Sequence, residues 1–121
     1  MPYEKITENR DMISAKGNKK VEDLLTAIRK EFKAEDVIET LKEIREIARE
    51  EKNPALVKIC RLCYSYIEEN KNFDINFVDE EEGLDMSDLE YLLELMLRSE
   101  KEVNLQEIRE IRDLLTTELY G

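Results

Sequence analysis

Apolar and polar positions alternate with a helical rhythm along most of the chain. The segment "KKVEDLLTAIRKEF" and the following "DVIETLKEIREIAREEK" each carry one apolar stripe at a period of 3.6 residues. The stripes comprise Val21, Leu24, Leu25, Ile28 and Phe32, then Val37, Leu41, Ile44 and Ala48. At about 100° per residue the two stripes lie on opposite sides of one straight helix. The pattern therefore predicts two helices with a turn near residues 33–36; the alternative is one long helix between two partners or protomers.

Capping residues predict where four of the helices begin. The expected pairs are Asp36 with Glu39, Asn53 with Pro54, Ser87 with Glu90, and Asn104 with Glu107. Upstream of them, "AKGN" predicts a helix break at Gly17. Residues 1–18 then form either a short helix or an arm that docks on the body.

Two predicted helices are apolar around more than half of their circumference. They lie in "NPALVKICRLCYSYIEEN" and "SDLEYLLELMLRSE". A small bundle has room to surround one such helix completely, and seldom two. We therefore expect an edge of one arc to face outward, either in a homodimer or as a groove for a partner's helix.

These elements define an all-α fold, a compact bundle of five to six helices in a single domain spanning 1–121. One long connection interrupts it, an irregular acidic loop near residues 71–86. Phe73, Ile75 and Phe77 alternate there with polar residues, which is a short-strand pattern without an evident second strand. The loop is expected to lay its aromatic side chains on the helices, or to pair with a copy of itself or a partner's sheet edge.

Composition and charge narrow the possible functions. The chain has 121 residues, 40% of them charged, and a net charge of −11. Residues 1–60 carry 13 basic and 13 acidic side chains, whereas residues 61–121 carry 6 and 17, so the excess lies entirely in the second half. Such a surface repels phosphate and attracts basic proteins, so direct nucleic-acid binding is not expected. No membrane-spanning run or signal pattern is evident, and we expect a cytoplasmic protein.

Catalytic and metal motifs fail on inspection. A calcium loop starting at Asp79 would place Glu90 at position 12, but it would put Gly83 at position 5 and Leu84 at position 6. Cys60 and Cys63 form "CRLC" inside a predicted helix, and the chain has no other Cys and no His to complete a zinc site. We therefore expect two buried thiols, no cofactor, no metal and no enzyme activity.

The remaining candidate is the acidic loop with its flanking apolar residues. Acids ringed by hydrophobic side chains are typical of an electrostatically steered partner site. The sequence thus favours a non-catalytic interaction module that regulates, inhibits or scaffolds another protein. A homodimer is compatible with this interpretation. The expected contact residues are Phe77, Asp79, Glu80, Glu81, Glu82, Leu84 and Asp85. Two alternatives remain open, an acidic nucleic-acid mimic and a small carboxylate-based enzyme or metal protein.

Overall fold

The structure, a computed structural model, describes residues 15–75, 87–97 and 102–120, apart from the side chains of residues 102 and 103. This part of the chain contains five α-helices and no strand. They are α1 (Ala15–Lys30), α2 (Ala34–Glu50), α3 (Pro54–Asn70), α4 (Asp88–Leu97) and α5 (Glu102–Tyr120). The predicted all-α bundle is confirmed.

The helices pack as a closed ring rather than in simple chain order. α1 lies against α2 and α4, α3 lies against α2 and α5, and the contact between α4 and α5 closes the ring. Ion pairs join neighbouring helices at the surface, including Lys20 with Glu43 at 3.1 Å and Lys42 with Glu68 at 3.7 Å. Exposed pairs of this kind contribute little stability, so the ring is held mainly by its apolar interior.

The interior buries most of both wide apolar arcs. The most buried side chains of α3 are Leu56, Ile59, Cys60, Leu62, Cys63 and Ile67, and those of α4 are Leu89, Leu92, Leu93, Leu95 and Met96. Because each helix has neighbours on two sides, the ring covers more of its circumference than we expected. Five members of the two arcs, Val57, Tyr64, Tyr66, Tyr91 and Leu97, are only partly buried, so the outward-facing edge and the homodimer both stay predictions.

The predicted turn between the first two helices is confirmed, but its details differ. The break lies at residues 31–33, and Phe32 is 38% exposed instead of joining the stripe. Helix α2 begins at Ala34, so Asp36 lies inside the helix, and the capping position is Lys33, which makes no side-chain cap. Gly17 does not break a helix either; it lies buried in the first turn of α1, because packing there outweighs its weak helix propensity.

Two of the predicted starts are confirmed and one more is wrong. The Asn53 side chain accepts a hydrogen bond from the Leu56 N–H, with Pro54 at the first helical position. Ser87 and Glu90 form the predicted reciprocal box. Asn104, by contrast, lies inside α5, which begins two residues earlier at Glu102.

Candidate binding sites

The predicted contact residues lie outside the described part of the chain. They are Phe77, Asp79, Glu80, Glu81, Glu82, Leu84 and Asp85, all within residues 76–86. What the structure does define is the base of this segment, where the chain leaves at Ile75 and returns at Ser87.

The departing side of the base is anchored by an aromatic pair. Phe73 is 6% exposed, and its ring meets that of Tyr66 edge to face, with centroids 5.7 Å apart and an angle of 78° between the planes. The Tyr66 hydroxyl donates to the Asp74 carbonyl oxygen at 3.4 Å. Burial raises the pKa of Tyr66, and the negative charges of Glu118, Asp74 and Asp88 raise it further. This part of the prediction, an aromatic residue laid on the helices, is confirmed at Phe73.

The two sides of the base are joined by a hydrogen bond. The Ile75 N–H donates to Oδ2 of Asp88 at 2.7 Å, and Asp88 is only 7% exposed. Asp88 is also the first residue of α4, where a carboxylate is stabilised by the helix dipole. The bond therefore fixes the start of α4 beside the end of the anchored stretch, and it brings the two ends of segment 76–86 together.

The returning side is braced against α1. Arg29 contacts Glu90 at 3.1 Å and Glu94 at 3.4 Å, which links the end of α1 to two turns of α4. Burial tends to raise the pKa of Glu90, but hydrogen bonds from Ser87 and Arg29 outweigh it and lower the pKa below its ordinary value. Glu90 is therefore held as a carboxylate by its partners.

The opposite end of α3 is a tight corner that the sequence did not single out. The Asn53 N–H donates to the Ala48 carbonyl oxygen at 2.8 Å, and the Lys52 N–H to that of Arg49 at 3.1 Å. This is the Schellman arrangement, which requires a left-handed residue, and here Lys52 adopts φ 57° in place of the usual glycine. The corner thereby joins the end of α2 to the cap of α3 in three residues.

A groove of about 680 Å³ lies at this corner. It is lined by Arg49, Lys52, Asn53, Pro54, Val57, Lys58 and Arg61. Arg49 contacts Glu46 at 3.5 Å, whereas Lys52, Lys58 and Arg61 have no ion-pair partner among the described residues. Asn53 is 2% exposed, and its Nδ2 has no hydrogen-bond partner within the described part of the chain. The groove is thus a positively charged surface on an acidic protein.

A sequence signal for this groove did exist. Four of the six charged residues between Arg49 and Arg61 are basic, and they pair at a spacing of three, Arg49 with Lys52 and Lys58 with Arg61. Residues three apart on one helix share a face, which holds for Lys58 and Arg61, whereas Lys52 reaches the groove from the turn after α2. The charges of residues 1–60 sum to zero, so the net charge of that half gives no sign of the basic cluster.

The thiols behave as expected from the sequence. Cys60 and Cys63 are both free and buried in α3. Burial raises the pKa of Cys60 to about 12, against a smaller opposing effect of Arg45, and burial also raises the pKa of Cys63, with the Cys60 thiolate adding to it. Both are therefore packed as thiols rather than poised as nucleophiles.

Neither a metal-binding cluster nor a membrane-spanning helix occurs in the described part of the chain. The residues that the structure covers hold no group of three or more His, Cys, Asp or Glu side chains arranged to bind a metal ion. Within the same residues, no helix is both long and apolar enough to cross a membrane.

No protein-family model, curated protein or solved structure matches the chain.

Proposed function

We propose that the protein is a non-catalytic interaction module that binds a basic protein through residues 76–86. The observation that supports this most is the hydrogen bond between Ile75 and Asp88. It holds together the two ends of a segment that contains four consecutive acids, Asp79 to Glu82, flanked by Phe77 and Leu84.

Joining the ends of a recognition segment favours binding in two ways. A segment whose ends are already fixed loses less conformational entropy when a partner orders it. A cluster of like charges on a fixed base also attracts an oppositely charged partner over a distance, which raises the association rate. The flanking apolar residues would then supply the contact that survives when salt screens the charges.

The test is to capture partners with a variant that keeps the shape of the acids but removes their charge. Asp79→Asn with Glu80→Gln, Glu81→Gln and Glu82→Gln is the test variant. The control neutralises Glu22, Glu39, Glu50 and Glu110 in the same way; all four are exposed and have no ion pair in the described structure. Both variants carry the same net charge, so a general charge effect changes both.

We expect the test variant to lose a basic partner that wild type and control retain at low salt. Equal retention by both variants would place the site elsewhere. Adding DNA to the captured complex separates this proposal from nucleic-acid mimicry, because a mimic is displaced by DNA. In the described part of α5, Arg109 and Arg112 stand among the acids, which does not favour a continuous phosphate-like row.

A further inference from the structure

The groove at the α2–α3 corner is surrounded by hydrogen-bond donors and by cations. Arg49 contributes to it from the last turn of α2 and Lys52 from the connecting turn, whereas Lys58 and Arg61 contribute from the second turn of α3. Arginine and lysine side chains only donate. A ligand that fits this rim must supply acceptors and negative charge.

Asn53 gives the groove a buried donor without a partner. Its Oδ1 accepts from the Leu56 N–H at 3.3 Å, which fixes which edge of the amide faces α3. The other edge carries Nδ2, which is buried and has no hydrogen-bond partner among the described residues, and Asn53 is one of the residues that line the groove. Buried donors are nearly always paired in folded proteins, so an unpaired one beside four cations points to a missing acceptor.

The position at the N-terminus of α3 adds to the same preference. The first turn of this 17-residue helix carries a partial positive charge from its aligned peptide groups. Pro54 and Val57 supply an apolar floor between the cations. The groove volume falls in the range that small-molecule sites occupy.

We propose that this groove binds a small phosphate monoester, with the phosphate on the Asn53 amide and the four cations, and its organic part on Pro54 and Val57. A phosphate has three terminal oxygens and nearly two negative charges, so it accepts from donors on both helices at once. A carboxylate has two oxygens in one plane and one charge. Because the donors surround the groove on several sides, they favour the phosphate over a carboxylate.

The test is a titration of the full chain followed by amide NMR, with phenyl phosphate as the probe. Inorganic phosphate lacks the phenyl ring, so it measures what contact with the apolar floor contributes. Phenylacetate carries a carboxylate in place of the phosphate, so it measures the preference for a phosphate group. Sodium chloride keeps the ionic strength constant throughout. We expect shifts concentrated in residues 49–61, with phenyl phosphate binding at least tenfold more tightly than either of the other two probes.

Asn53→Asp is the decisive variant. An aspartate caps the helix as well as an asparagine does, so α3 keeps its start, but the variant replaces the Nδ2 donor with an acceptor and adds a negative charge. We expect its affinity for phenyl phosphate to fall at least tenfold. Lys58→Gln with Arg61→Gln should weaken binding similarly, without touching the cap.

The matched control is Lys30→Gln with Lys33→Gln, which removes two cations from the separate cavity between α1 and α2. It should leave the affinity unchanged. Equal weakening by the control, equal binding of phenylacetate, or unchanged binding by Asn53→Asp would each overturn the proposal.

Discussion

The two ends of α3 differ in charge and in the way the chain is held. At the first end, a three-residue Schellman turn and the Asn53 cap fix the backbone, and four cations surround a groove. At the other end, the helix ends at Lys71 and the buried Phe73 anchors the chain that follows. A hydrogen bond from the Ile75 N–H to Asp88 then joins this chain, which leads into the acidic segment, to the start of α4, which follows that segment. About 25 Å of helix separates them. A protein with a net charge of −11 therefore carries a basic surface at one end of α3, and the net charge gives no sign of it.

The largest effect is expected where the second end is anchored. Phe73→Ala removes a buried ring from its edge-to-face contact with Tyr66 and should cost about 3 kcal/mol of the free energy of unfolding. Phe32→Ala is the control, since Phe32 is 38% exposed and should cost much less. Urea unfolding of both variants measures the difference, and equal losses would show that Phe73 anchors nothing.

The tie across the base should be next in size. Asp88→Ala removes the charged acceptor of the Ile75 N–H and should cost about 2 kcal/mol of unfolding free energy. Asp88→Asn keeps an acceptor oxygen and should cost less. Hydrogen exchange at the Ile75 amide provides a local readout: it should accelerate in Asp88→Ala more than in Asp88→Asn. Unchanged exchange of the Ile75 amide in Asp88→Ala would show that Asp88 does not hold the two sides of the base together.

Substitution of the two lysines with left-handed backbone conformations should have a smaller effect, and it should stabilise the fold instead of destabilising it. Lys52 and Lys71 adopt φ 57° and 64°, a region where a side chain is strained and glycine is not. Lys52→Gly and Lys71→Gly should each stabilise the fold by about 1 kcal/mol. Lys58→Gly, inside α3, should instead destabilise it by about 1 kcal/mol. Thermal unfolding measures all three, and destabilisation by Lys52→Gly would contradict the turn described here.

The smallest effect concerns the pH dependence of the brace on α4. The pKa of Glu90 is lowered in the folded protein below its ordinary value of 4.5, so the unfolded chain binds more protons in that range. Glu90 therefore stabilises the fold above about pH 4.5, and this contribution is lost as the pH falls through the lowered pKa. Wild type should exceed Glu90→Gln by under about 1 kcal/mol near pH 6, in urea unfolding. The gap should shrink as the pH falls below 4.5, whereas a gap that stays constant at all pH values would assign the difference to packing alone.

The helical stripes and two of the caps could be predicted because they depend on neighbours within one or two turns. Val21, Leu41 and Ile108 are buried as their spacing requires. The start of α5 could not be predicted: Asn104 has the features of a cap, but the helix extends past it, and Glu107 accepts instead from the Tyr91 hydroxyl across to α4. Where such a helix begins depends on contacts with helices distant in sequence, and the local sequence pattern does not contain that information.

The same limit applies to the sites. The acidic residues 79–82 are adjacent in sequence, so composition alone finds them. The basic groove is assembled by a turn that brings Arg49 and Lys52 next to Lys58 and Arg61. Its unpaired Asn53 amide is visible only once the other edge of that amide is seen to cap α3. Spacing could have suggested the cations, but nothing in the sequence predicts the unpaired donor.

The most direct test of the account is whether the two ends of α3 bind separately. The measurement is the affinity for the captured basic partner, at low and high salt, of wild type, the variant neutralised at residues 79–82, and Asn53→Asp. The account predicts that the neutralised variant loses affinity and salt dependence, whereas Asn53→Asp matches wild type in both. Loss of the partner in Asn53→Asp, or full affinity in the neutralised variant, would contradict it.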